Sequence, residues 1–355
     1  CGGIGRAETI VRLSQTKEFA LKRRKQNGRI STFRSFTRLP LASIFQTRCF
    51  HCVICNPAVM LLIVSGLAAP AKSQELEPRR WSHLPIGANF GGGGYAHTSA
   101  DITFDPVLLL NDVKLEMETF PLKYLRSFEL LGKSARLDVW QSYQHARWKG
   151  TLDGVPASTS RSGWSDMSLR LAVNVIGAPP LAGEAFAQYR AANPVETIVG
   201  LALVVQIPTG HYINDKLLNL GSNRYTFRPQ LGVVHNRNKW SFESTFSTWV
   251  FTDNDDFFSG NNLEQAPFYT LEGYFNYTFR PGLWAGTGLG YGIGSTTTLN
   301  GIDKNDEREN LGWVASLGYP LSKRVGIKLA YIGIRTQVPV GADSDSLAAA
   351  MSILW

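Results

Sequence analysis

Several groups of side chains in this 355-residue chain have the types that do chemistry, and their spacing argues against most of them. Ser142 and His145 are a nucleophile and a base three residues apart. Along a strand, residues i and i+3 point to opposite faces, so the two cannot share a proton without a bulge. His211 and His235 flank a strand with no suitable serine evident. Cys49-x-x-Cys52-x-x-Cys55, with His51 inside it, has the two-residue gaps that let thiolates converge on one ion. A fourth well-placed ligand is missing, and the run leads straight into a hydrophobic segment. Asp253, Asp255 and Asp256 offer oxygen ligands of the kind calcium takes, without the remaining ligands of a calcium loop, and read better as a solvated external loop. Gly286, Gly288, Gly290, Gly292 and Gly294 suggest a phosphate cradle at first sight. Glycine at every second position is not the dinucleotide fingerprint, however, and no helix N-terminus follows to hold an anion. No catalytic residue, metal site or cofactor is expected, and the chain is not expected to be an enzyme.

The elements that would position such residues begin only after a distinct leader. Residues 1–73 hold 12 of the 36 Lys and Arg but only two of the 28 Asp and Glu, so the remainder is close to neutral and nucleic-acid binding loses its main support. All four cysteines, Cys1, Cys49, Cys52 and Cys55, also lie there, which fits an exported body without a disulfide framework. Ala58 to Ala69 is apolar but too short to cross a bilayer as a helix, which takes about 20 residues. With Arg48 before it and Ala71-Lys72-Ser73 after it, it reads as the core of a signal peptide cleaved before Gln74. The stretch before it is long for a signal peptide, so the N-terminus reads as over-extended. The expected organisation is therefore a leader at 1–73 and one folded domain at 74–355.

In that domain 12 alternating segments are expected: 84–98, 113–130, 134–149, 163–177, 195–209, 223–236, 239–252, 267–280, 283–298, 309–320, 324–336 and 345–355. Met167, Leu169, Leu171, Val173 and Val175 alternate with Ser168, Arg170, Ala172 and Asn174, and Tyr269, Leu271, Phe275 and Tyr277 alternate with Glu272 and Asn276. The last strand puts Leu347, Ala349, Met351, Ile353 and Trp355 on one face, as the closing strand of an outer-membrane barrel does. Short turns near 132, 237, 281 and 322 alternate with longer polar loops at 99–112, 150–162, 210–222, 253–266, 299–308 and 337–344. The connection at 178–194 is long where a short turn belongs, and reads as a short helix at the periplasmic rim or a miscounted strand. Trp148, Trp164, Trp240, Trp249, Trp284, Trp313 and Trp355, near segment ends, would supply aromatic girdles. The fold class is all-β: an antiparallel transmembrane β-barrel of about 12 strands. In it Arg170, Arg228, Glu243, Glu272 and Arg280 are candidate lumen charges that orient a solute or pair with one another. The glycines from 286 to 294 leave a bare inner wall, which either accommodates a bulky lumen occupant or serves strand curvature.

One string is more particular. Val204-Val205-Gln206-Ile207-Pro208-Thr209-Gly210-His211-Tyr212, followed by Leu218-Asn219-Leu220-Gly221-Ser222-Asn223-Arg224-Tyr225-Thr226, resembles the family named for the meta-pathway of phenol degradation. Physically, Pro208 ends ladder pairing at the rim, Gly210 permits the turn, and Thr209, Asn219, Gly221, Asn223 and Arg224 complete the loop base. The resemblance covers most of 85–355 and implies an outer-membrane channel linked to aromatic or other hydrophobic compounds, without carrying over any residue-level site. The expected function is passive passage of a small hydrophobic or aromatic solute across the bacterial outer membrane. The competing reading is a structural or adhesive barrel with a closed lumen. The expected partners are the outer-membrane lipid bilayer, the solute, and the barrel assembly machinery, engaged through the C-terminal strand ending in Trp355.

Overall fold

A computed structural model describes residues 75–104 and 110–355 of the chain. The leader, its cysteines and the cleavage site before Gln74 lie outside the described residues. From Asn89 onward strands dominate, because apolar and polar residues alternate with period two and turn residues punctuate them.

The barrel strands are β1 (Asn89–Thr103), β2 (Leu110–Leu130), β3 (Lys133–Leu152), β4 (Val155–Trp164), β5 (Met167–Ile176), β6 (Val195–Ile207), β7 (Thr226–Arg237) and β8 (Trp240–Phe251). After two short strands, β9 (Asn254–Phe257) and β10 (Asn261–Gln265), come β11 (Phe268–Arg280) and β12 (Leu283–Gly294). Two further short strands, β13 (Thr297–Leu299) and β14 (Ile302–Asp303), precede β15 (Arg308–Pro320), β16 (Val325–Thr336) and β17 (Gly341–Leu354). Every pairing is antiparallel, and β2 pairs with both β1 and β3, so the sheet closes on itself. β4 and β5 both pair with β3 and form one stave interrupted at Ser165–Asp166, which makes the barrel 12-stranded. Closure removes the edges that an open sheet would expose to lipid.

The outward face is apolar: Leu171, Leu203, Phe246, Leu271, Leu289, Leu317, Leu329, Leu347 and Met351 are all exposed. Opposite parity points inward, and there polar groups are buried, among them Asp138, Arg170, Arg228, Glu243, Thr245 and Glu272. This inversion of a soluble protein's pattern is what a bilayer demands.

Several expectations change in detail. The loop expected at 150–162 is largely strand, because Asp153 and Gly154 take positive φ and close a tight turn between β3 and β4. The loops at 253–266 and 299–308, with the end of the strand expected at 283–298, carry β9, β10, β13 and β14, a separate four-stranded sheet around Phe257, Phe258, Leu263 and Leu299. The long 178–194 connection holds a helix, α1 (Gly183–Ala192), on the side of the short turns. The aromatic girdle is thinner than expected. Trp164, Trp240 and Trp355 are exposed on the outer face, but Trp148 and Trp249 are buried inside the barrel, and Trp284 lies beneath the Arg79 guanidinium.

Candidate functional site

The lumen is occupied by the chain's own residues 75–88, which run inside the barrel before β1 begins. The tether starts at the rim, where Gly87 N donates to Ser127 O at 2.9 Å, Ser127 N donates to Ala88 O at 3.0 Å and Ala88 N donates to Ser127 Oγ at 3.1 Å. Farther in, Trp81 lies over Gly200 and Gly232, where any side chain would collide with the indole, and its Nε1 donates to Thr245 Oγ1 at 2.9 Å. Glycine is therefore needed at those two wall positions. Leu76 packs on Tyr274 and Val314.

Charges hold the rest. Glu75 pairs with Arg228 at 2.5 Å and with Arg80 at 3.4 Å, and Glu77 pairs with Lys123 at 3.3 Å and Lys328 at 3.5 Å. Arg80 N donates to Glu243 Oε1 at 3.2 Å. Burial alone would raise the pKa of Glu75 and Glu77, but the cations around them hold Glu75 below the ordinary carboxylate value and Glu77 well below it. Near the rim, His83 is gripped by α1, its ring edge-on to Phe186 (4.8 Å) and Tyr189 (5.6 Å), with Nε2 2.8 Å from Pro179 O. Tyr189 and Arg190 are fixed in turn by Glu196 of β6.

Of the expected lumen charges, Arg170 and Arg228 are buried on the inner wall, their guanidiniums stacked on Trp81 (4.5 Å) and Trp249 (4.1 Å). Arg170 also donates to Gln230 and lies 3.5 Å from Asp138. Glu243 meets the plug, and Glu272 accepts from Tyr274 OH at 2.7 Å. Arg280 differs: it is the last residue of β11, exposed at the short-turn end, because the barrel has ended there. Gly288, Gly290 and Gly292 are buried on the inner face, with Gly286 and Gly294 at the same parity. The space over Gly288 is taken by Tyr274 and that over Gly286 by Asn276, both from the neighbouring strand β11. The Trp81 plug sits instead over Gly200 and Gly232.

The Pro208 to Arg224 string forms the loop beside β4, whose far edge has no barrel strand beyond the end of β6. His211 N donates to Trp164 O at 2.7 Å and caps that edge. The neck is gathered by Asp166, the residue at the stave's interruption. Its carboxylate accepts from Gly210 N (2.9 Å), Ser222 N (2.9 Å), Ser222 Oγ (2.6 Å) and Gln206 Nε2 (2.7 Å). Gly210 and Gly221 touch: a Cβ on Gly210 would lie 2.7 Å from Gly221 Cα. Pro208 begins the departure from β6, and Thr209 Oγ1 accepts from Met167 N at 3.0 Å. Asn219 braces the loop, accepting from Ile213 N and donating to Ile213 O and Lys216 O. Asn223 donates to Asn254 Oδ1, while Arg224 bonds Gln265 and stacks on Phe251. Asp166 was missed in the sequence because an aspartate inside an expected strand has no spacing signal. The interruption of the alternation at Ser165–Asp166 was the one available cue.

His145 points outward and pairs with Ser162 across β3 and β4 (Nδ1 to Oγ, 2.6 Å), while Ser142 carries the opposite parity, so the two do not meet. Among the described residues there is no cluster of His, Cys, Asp or Glu able to hold a metal ion.

A barrel of this strand number, filled from the short-turn side and roofed by loops, is an outer-membrane-type transmembrane barrel. Residues 88–349 match the model of the family described as "Putative MetA-pathway of phenol degradation", and the chain belongs to that family. Among solved structures, an outer membrane channel from Pseudomonas putida F1 is 23% identical with a TM-score of 0.65, over 79% of this chain and 100% of that one. A FadL homologue from Pseudomonas aeruginosa is 9% identical with a TM-score of 0.38, over 77% and 90% of the two chains. Among curated proteins nothing matches.

Proposed function

We propose that the protein is an outer-membrane channel that lets small hydrophobic or aromatic compounds pass down their own gradient. The observation that carries this reading is how the lumen is filled. Residues 75–88 are anchored by Leu76, Trp81 and the His83 clamp and otherwise by hydrogen bonds and ion pairs, which water can replace, and not by a continuous apolar core. Membership of the phenol-degradation family points the solute class toward aromatics. Above the plug the inner wall turns apolar around Val113, Leu115, Ala146 and Trp148, a surface unlike the polar lumen of a general porin. The roles are binding and gating: the charged wall holds the plug, the loops meet the solute, and no covalent step is assigned. Location in the bacterial outer membrane, export by a cleaved signal peptide, and insertion by the assembly machinery through the strand ending in Trp355 belong to the same reading.

The filled lumen also favours a second reading, a structural or adhesive barrel that never opens. Flux separates the two. Proteoliposomes carrying the full chain should release a trapped monoaromatic solute faster than empty liposomes, and a variant that weakens the plug, Arg80→Gln, should release it faster still. Equal rates in all three samples would leave the closed barrel standing.

A further inference from the structure

The loop-side part of the lumen contradicts the usual polarity of a barrel interior. There β1, β2 and β3 turn Ala100, Val113, Leu115, Ala146 and Trp148 inward, and all are buried. Among the described residues, no strand of the opposite wall joins them; Phe104, just past β1, and Leu220 from the tip of the 208–225 loop complete the cluster, and Leu217 and Leu218 pack against it. An interior that held only water and ions would have no use for such a wall.

Two further observations indicate that the leucines occupy a site, not a permanent core. First, the leucines are not alone in shaping the loop: its neck is gathered by Asp166, and at its tip the buried Asn219 side chain, between Leu218 and Leu220, bonds back to Ile213 and Lys216. Second, Trp148 is 2% exposed, faces the cluster, and its Nε1 donor has no hydrogen-bond partner among the described residues. A buried indole N–H normally finds an acceptor, and leaving it unmet is unfavourable. Leucines cannot supply that acceptor. A ligand with an oxygen on an apolar body can. Leu217 also packs on the Phe257–Leu299 cluster of the outer sheet, so withdrawal of the tip is coupled to that lid.

We propose that this chamber binds a small apolar molecule carrying one hydrogen-bond acceptor, with the ligand replacing Leu217, Leu218 and Leu220 and its acceptor meeting Trp148 Nε1. The inference rests on the channel reading above and names where its solute is held.

The test uses the full chain in lipid nanodiscs and two probes of similar shape, naphthalene and 1-naphthaldehyde, of which only the second offers an acceptor oxygen. Saturable binding is measured by equilibrium dialysis, and retention of fold by the mobility shift on boiling. The wild type should bind the aldehyde about tenfold more tightly than naphthalene, the discrimination expected of one hydrogen bond to a buried donor. Trp148→Phe, which keeps an aromatic ring and removes the donor, should erase that preference, so that the two probes bind with equal affinity. Trimming the tip with Leu217→Ala, Leu218→Ala and Leu220→Ala together should tighten both probes, because less must be displaced. Absence of saturable binding in a folded wild type, or an aldehyde preference that survives Trp148→Phe, would overturn the site. Binding without flux in proteoliposomes would keep the site and sink the channel. Flux without Trp148-dependent binding would do the reverse.

Discussion

Asp166 concentrates more structure than any other single side chain near the mouth. It sits where the alternation of the β4–β5 stave breaks, and its carboxylate gathers two backbone N–H groups, a hydroxyl and an amide. Hydrogen bonds to a charged acceptor are stronger than neutral ones, and three of these donors come from the loop whose neck they close. Replacing Asp166 with Ala should cost about 2–4 kcal/mol of local stability and expose 208–222 to proteolysis while the barrel stays closed. The check is limited proteolysis on intact outer membranes; a cleavage pattern identical to wild type would show that the loop is held elsewhere. On the opposite wall, Gly232 lies directly beneath Trp81. Gly232→Val should push the indole off the wall and raise bilayer conductance, whereas the same change at Gly273, where nothing stands within 4 Å, should leave conductance as it was.

At the scale of the element, the charges that hold the plug predict that its docking depends on pH. The carboxylates of Glu75 and Glu77 are held below their ordinary value of 4.5, so their contribution to docking is complete above that value and is lost as pH falls through their lowered pKa values. Single-channel conductance should therefore be low and flat at neutral pH and rise under strongly acid conditions. Glu75→Gln with Glu77→Gln should bring the same rise to pH 7. The helix α1 clamps this tether by seating His83 between Phe186 and Tyr189, which gives the long connection at 178–194 a structural purpose. The closing strand shows the same logic outward. Leu347, Met351, Ile353 and Trp355 are exposed on the lipid face, and Trp355 leans over Gly91 of β1. If this end is read by the assembly machinery, Trp355→Ser should lower the amount of inserted barrel in cells while leaving the thermal stability of the inserted fraction within about 1 kcal/mol of wild type.

For the whole molecule, closure of the sheet sets the mechanics. A closed antiparallel barrel has no frayed edge at which detergent can begin to unravel it, so the folded chain should migrate differently in a gel with and without boiling. Equal mobility, with solubility in plain buffer, would identify the apolar strand faces as the core of a soluble sandwich instead. The outward apolar surface and the inward charges depend on one another. Arg170, Arg228, Glu243 and Glu272 remain buried because the plug and nearby residues of the same wall supply their partners, and removing residues 75–86 would leave those charges to water that enters the open lumen.

What the sequence determined by itself was the strand. Its period of two is a local property, and it specified 12 staves and their lipid-facing residues from Leu171 to Met351 with little help from distant contacts, but not the lengths of the connections, since the loop expected at 150–162 is largely strand. It also singled out the Pro208 to Arg224 string, because turn residues carry their own backbone preferences. Tertiary structure alone decided what the barrel encloses. Nothing in the run from Glu75 to Ala88 signals that it folds back through the lumen. Its partners Arg228, Glu243 and Lys328 lie more than a hundred residues away for the most part, and only closure brings them together. The same holds for Asp166 and for the leucines over Trp148. Period and turn chemistry are written between neighbours, whereas lumen packing arises between strands that meet only once the barrel has closed.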